Sequence, residues 1–180
     1  MKNILFLFLV FTVLVGCAQK SFVNVEEEGE FDRFEFRSTL SRKETATVRD
    51  LVILVSQSYK EQRDLHKPLE WYQAFIDLGW IDAGLDLDQS CTRGQVGRLV
   101  AGRLDLQGNI FLFCCGPTER YGFREIIRLK FLKKGFPNEY LSGSTLMNVQ
   151  SRSTTWVKKI PGRLEDYKTH TAAVFTEAFK

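Results

Sequence analysis

The chain has 180 residues, a formal net charge of +3, 44% hydrophobic residues and 26% charged residues. These are the values of a globular protein, with enough chain for one ordinary domain and a real buried core, and they exclude a disordered or fibrous class. Two histidines, His66 and His170, stand far apart and in no H-x-x-H or H-E-x-x-H spacing, so the sequence presents no zinc cage.

The chain begins Met1-Lys2-Asn3 and then runs through an apolar stretch from Ile4 to Val15. One positive charge, a short apolar core and a small residue after it are the parts of a secretory signal. As a helix this stretch reaches about 18 Å, well short of the roughly 30 Å of a bilayer core, so it does not read as a permanent span. It ends in Leu14-Val15-Gly16-Cys17. These four residues resemble the lipobox of bacterial lipoproteins. The resemblance implies a signal peptide over 1–16, a diacylglycerol on the Cys17 thiol, and acylation of the new amino group after cleavage. Two or more acyl chains anchor stably where one is marginal. Ala18 follows the cysteine, which by the same resemblance favours the outer membrane, facing the periplasm.

Charge is uneven along the rest. Residues 20–37 hold six acids, Glu26 to Glu28 among them, against three bases, whereas residues 116–180 hold twelve bases against six acids. A basic half suits anionic lipid, wall polymer or nucleic acid, and export removes nucleic acid from this set. Residues 17–43 read as the lipidated N-terminus and a tether, with no helical stripe. Phe31, Phe34 and Phe36 are expected to form a short strand or to dock on the domain, which spans 44–180.

The first helix is expected in "TATVRDLVILVSQSYKEQRDL", capped by Thr45 or Thr47, with Val48, Leu51, Val52, Val55 and Tyr59 on its buried stripe. The second lies in "KPLEWYQAFIDLGW", with Pro68 in its first turn and Gly79 as its stop. Residues 81–90 form a connecting loop. The third, "CTRGQVGRLVAGRLDL", starts at the cap Thr92 and buries Val96, Leu99, Val100 and Leu104. Its internal glycines each cost up to about 1 kcal/mol relative to Ala, so tertiary packing must hold it, and Gly94 and Gly97 would let another element come close. An extended, buried segment is expected near 109–115. The fourth helix is expected from Pro117 to Gly135, the fifth begins after the cap Ser142, and a last one follows Gly162. The fold class is therefore mainly α: a compact domain of five to six helices.

Two helix–loop–helix units repeat, one from Tyr72 and one from Tyr121, offset by about 50 residues. In each, a helix ends, a Gly-containing loop follows, and an apolar or Cys residue precedes a hydroxyl cap: Cys91-Thr92 and Leu141-Ser142. No third unit is evident. Over Glu70 to Val149 this layout resembles the S-layer homology domain, through Leu78, Gly79, Gly84, Thr92, Arg93, Val96 and Leu99. That resemblance implies binding to cell-wall polymers, with Arg93 at the position that helps hold anionic groups. The chain departs from the pattern at Gly94 and Gln95, and its second unit, "SGST", has no Arg.

For chemistry, no G-x-S-x-G, Gly-rich phosphate loop or paired C-x-x-C occurs. Besides Cys17, the thiols are Cys91, Cys114 and Cys115. They read as buried and reduced, with a Cys91 bridge to one of the pair as the alternative. A cysteine nucleophile paired with His66 or His170 is the enzyme alternative, but an apolar setting raises a thiol's pKa and makes it inert. Arg120, Arg124 and Arg128 form one stripe at i, i+4, i+8. With Arg93 they are the candidate binding residues for an anionic polymer, since a guanidinium holds carboxylate or phosphate bidentately. The sequence thus describes a lipid-anchored envelope protein with a binding or structural role, tied to the membrane through Cys17. Peptidoglycan, another anionic envelope polymer or a protein is its expected partner, and neither catalytic residues nor a cofactor or metal is expected.

Overall fold

A computed structural model describes residues 32–59, 68–106 and 116–160, with isolated positions at 162, 169 and 173. The signal segment, Cys17, His66, the expected extended segment with Cys114 and Cys115, His170 and the expected last helix lie outside the described residues. Within them the fold is mainly α: α1 (Arg33–Arg42), α2 (Val48–Ser56), a 3₁₀ turn (Gln57–Tyr59), α3 (Pro68–Asp77), α4 (Arg93–Arg103), α5 (Glu119–Arg128) and α6 (Gly143–Lys159).

Capping explains where these helices start. The Thr47 side chain accepts from the Asp50 N–H while the Asp50 carboxylate accepts from the Thr47 N–H, and Thr92 and Gln95 repeat this reciprocal pair at α4. Ser142 accepts from the Thr145 N–H at α6. Each cap satisfies first-turn donors that the helix cannot satisfy itself.

The residues just before these three caps form a closed cycle. The Ala46 N–H donates to the Leu141 carbonyl at 2.7 Å, the Cys91 N–H to the Ala46 carbonyl at 2.9 Å, and the Leu141 N–H to the Cys91 carbonyl at 3.3 Å. All three are buried. Two residues along, three further bonds join the same units in the opposite sense without closing on themselves: Val48 donates to Gln89, Arg93 to Glu139 and Gly143 to Lys43. The starts of α2, α4 and α6 are therefore tied together by backbone hydrogen bonds. The described residues form three units, α1–α2, α3–α4 and α5–α6.

This corrects two expectations. Residues 33–42 are a helix, not part of a tether, because Asp32 caps it and fully buried Leu40 seats it on α6. A third unit exists, hidden because its connection (residues 43–46) is far shorter than those over 78–91 and 129–141. The other two units match closely. Gly79 (φ +69°) ends the α3 turn as Lys130 (φ +60°) ends that of α5. Trp80 and Phe131 then donate back to Phe75 and Ile126. The α5 helix consequently stops at Arg128, short of the expected Gly135, and Pro117 precedes the cap Thr118 instead of opening the helix.

The core gathers Leu51, Val52, Val55, Phe75, Val96, Leu99, Ile126, Leu146 and Val149, all buried. Tyr59, Trp71, Phe75 and Trp80 chain their rings at centroid distances of 5.3, 5.8 and 5.6 Å, within the range of favourable aromatic pairs. The α4 glycines bring other elements close, as their spacing implied. A Cβ on Gly97 would lie 2.5 Å from the Phe123 nitrogen, one on Gly122 would lie 2.6 Å from the Gly97 oxygen, and one on Gly102 would meet the Trp80 ring. The backbones of α4 and α5 thus touch. In an exposed helix Gly to Ala gains about 1 kcal/mol. Gly97→Ala should instead lose about 1–3 kcal/mol through overpacking, and the sign is read directly from urea unfolding midpoints.

Candidate functional site

The four arginines singled out in the sequence have three different fates. Arg93, at the start of α4, donates through Nη1 to the carbonyls of Lys133 and Lys134, both at 3.3 Å, and its Nε lies 3.0 Å from the Glu139 carboxylate. Gly135 lies so close to the guanidinium that no Cβ would fit there. Arg93 therefore fastens the 129–141 loop to α4, and its fork is used internally.

Arg128 forms two-pronged hydrogen bonds with Glu125, whose side chain is 3% exposed. Glu125 raises the Arg128 pKa further, chiefly through this hydrogen bonding. The arginine's first duty is thus to neutralise a buried carboxylate, since an uncompensated buried charge is strongly destabilising.

Arg120 and Arg124 differ from both. They are exposed on α5 and form no hydrogen bond or ion pair among the described residues. One helical turn apart, they are neighbours on the helix surface. The other face of α5 buries Gly122, Phe123 and Ile126. The structure thus leaves a two-arginine stripe free, with Arg128 beyond it partly engaged and Arg93 committed elsewhere.

Sequence reasoning missed Arg103. Its side chain is buried at the end of α4 and donates to Ser58 Oγ at 2.9 Å, Gln150 Oε1 at 2.6 Å and Ser153 Oγ at 2.6 Å. Among the described residues no carboxylate pairs with it, and its Nε has no acceptor. Ser58 follows α2 and Gln150 and Ser153 lie on α6, so this guanidinium joins all three units. The signal was present: position 103 continues the Val96, Leu99, Val100 stripe, where an arginine is out of place unless buried and bonded.

Cys91, in the ring, is a free thiol and fully buried. Burial, helped by the nearby Asp50 carboxylate, pushes its pKa up to about 12. Nucleophilic chemistry needs the thiolate, so this cysteine is unsuited to the enzyme alternative. Asp50 itself is buried and paired with Lys43 at 2.8 Å. Among the described residues no group of three or more His, Cys, Asp and Glu is placed to hold a metal ion, and no helix is long and apolar enough to cross a membrane.

Beside the ring a cavity of about 10 Å³, lined by Val48, Trp80, Leu85, Arg98 and Glu119 among others, has room for one water at most. Arg98 reaches from α4 to the Gly79 carbonyl at 2.9 Å and to the Asp82 carboxylate. The Glu119 pKa is raised, first by desolvation and then by Asp82, with Arg98 opposing.

Comparison with known proteins finds no match: no family model, no curated protein and no solved structure is similar to this chain.

Because Glu119 binds its proton more tightly in the folded chain than in the unfolded one, its contribution to stability is complete at pH values below the ordinary carboxylate range, about 4.3. It is lost as pH rises through the raised folded value. Glu119→Gln should therefore gain stability relative to wild type as pH increases from about 4 to 7. Thermal melts of both proteins across that range check the direction, and parallel curves would contradict it.

Proposed function

We propose that this chain is a lipid-anchored protein of the bacterial cell envelope. It is cut before Cys17, held by acyl chains there, and binds an anionic envelope polymer through the outer face of α5. The outer membrane, facing the periplasm, is the proposed location, and the role is binding or structural, not catalytic. The observation that carries the binding reading is the exposed Arg120–Arg124 pair, without an ion pair among the described residues, on a helix whose opposite face is locked to α4.

The energetics favour a polymer over a small ligand. An exposed ion pair is worth about 0–1 kcal/mol, too little for two arginines to hold a lone anion. A repeating polyanion offers successive sites at high effective concentration, and avidity multiplies weak contacts. Exposed Lys130, Lys133 and Lys134 follow α5 in the chain and add positive charge to this half. Arg93 supports this role indirectly by holding the backbone of Lys133 and Lys134 in place.

Two measurements test the reading separately. Mass spectrometry of the mature N-terminus should find a diacylated, N-acylated Cys17. An unmodified thiol there, or an intact Met1 start, removes the anchor. Purified cell wall should retain the protein at low salt and release it as salt rises. Arg120→Glu combined with Arg124→Glu should lower retention severalfold with the melting temperature unchanged. Absence of salt-sensitive retention in wild type sinks the polymer reading.

A further inference from the structure

A second basic site lies on the first unit, away from α5. On α1, Arg33 and Arg37 stand four residues apart and therefore on one face. With Phe34 and Gln57 they line an open pocket of about 310 Å³. Arg37 Nη2 donates to Gln57 Oε1 at 3.2 Å. That contact fixes the amide so that its Nε2 is the remaining donor. Gln57 is 8% exposed, and its buried Nε2 has no acceptor among the described residues. Arg33 and Arg37 form no ion pair among the described residues, and no carboxylate is among these lining residues. Asp32 is engaged in capping the Phe34 and Glu35 N–H groups, and the exposed Glu35 is not among the lining residues.

Two guanidinium groups in one pocket, with no carboxylate among its described lining residues, describe a site for an oxyanion. An arginine fork matches the paired oxygens of a phosphate. Phe34 adds a second cue: its ring is 82% exposed at the edge of the pocket, the most exposed large hydrophobic side chain among the described residues. An aromatic ring beside basic side chains is the arrangement that settles at the boundary between lipid headgroups and acyl chains.

We propose that this pocket binds the phosphate of an anionic phospholipid headgroup, laying α1 against the bilayer. This rests on the lipid-anchored reading. Arg33 is sixteen positions beyond Cys17, a reach of about 55 Å at full extension, so the anchor holds α1 within that distance of the membrane surface. Within that reach, acidic lipid attracts basic side chains that come within about 10 Å, a Debye length, of the surface. Contact through α1 orients the body, and α5 remains available for the polymer.

The test uses the full-length protein, purified with its own N-terminus and reconstituted in nanodiscs of phosphatidylcholine alone or with added phosphatidylglycerol. The readout is backbone hydrogen exchange over Arg33–Arg42 and Gln57. Phosphatidylglycerol should slow exchange there severalfold, and Arg33→Gln combined with Arg37→Gln should abolish that slowing while melting unchanged. Inorganic phosphate added to the phosphatidylcholine discs is the second arm. Equal slowing by phosphate alone would assign the pocket to a free anion and overturn the lipid assignment. If the chain enters both kinds of disc and α1 exchanges identically in them, the anchor stands and the headgroup site is overturned. If it enters neither, the anchor reading fails and the headgroup contact falls with it.

Discussion

The cycle of three backbone hydrogen bonds among Ala46, Cys91 and Leu141 is the constraint on which the rest of the molecule depends. Each of these residues both donates and accepts within the ring, so no one bond can be removed without leaving a buried donor and a buried acceptor bare. Unsatisfied buried groups cost about 1–3 kcal/mol each. The ring also sets the positions of Thr47, Thr92 and Ser142, and through those caps the origins of α2, α4 and α6. The long connections of the second and third units follow from the same geometry. Each must bring its last residues to the ring, where Gln89 and Glu139 serve the first turn of the neighbouring unit.

Away from the ring, the three units are tied a second time by Arg103. A buried guanidinium bonded, among the described residues, only to neutral oxygens is costly to desolvate. Its three partners come from segments that a plain apolar core would not orient with respect to one another. The polar cluster of Ser58, Arg103, Gln150 and Ser153 therefore specifies the arrangement of the helices more than it deepens their stability. Gly97 and Gly122 do the complementary work on the outside, allowing α5 to lie directly on α4. With one face used in that way, α5 has its opposite face left for solvent.

Much of this was legible in the residues. The apolar spacing of α2 and α4, the hydroxyl caps and the Gly79 stop follow from local rules that the tertiary structure does not override. Repeat similarity between the second and third units was also readable, because both keep the same turn chemistry. The first unit was not, since its short connection removes the loop that made the others recognisable. The α1 helix escaped notice for a related reason: its apolar content is low, and Leu40 alone is buried. For the candidate site, the arginine stripe on α5 was visible as spacing, but its division into free and committed members was not. Spacing reports which side chains share a face. It does not report that Glu125 sits buried beneath Arg128, or that the loop carbonyls of Lys133 and Lys134 close around Arg93.

The ring also bears on how the chain folds. Its closing contact joins Ala46, near the beginning of the described chain, to Leu141, near its end. Bringing such distant residues together carries a large loop-closure entropy, which local helix formation cannot offset in advance. High contact order of this kind slows folding. A nascent chain therefore holds its first two units with the ring still open, until the third unit emerges and supplies the missing carbonyl of Leu141.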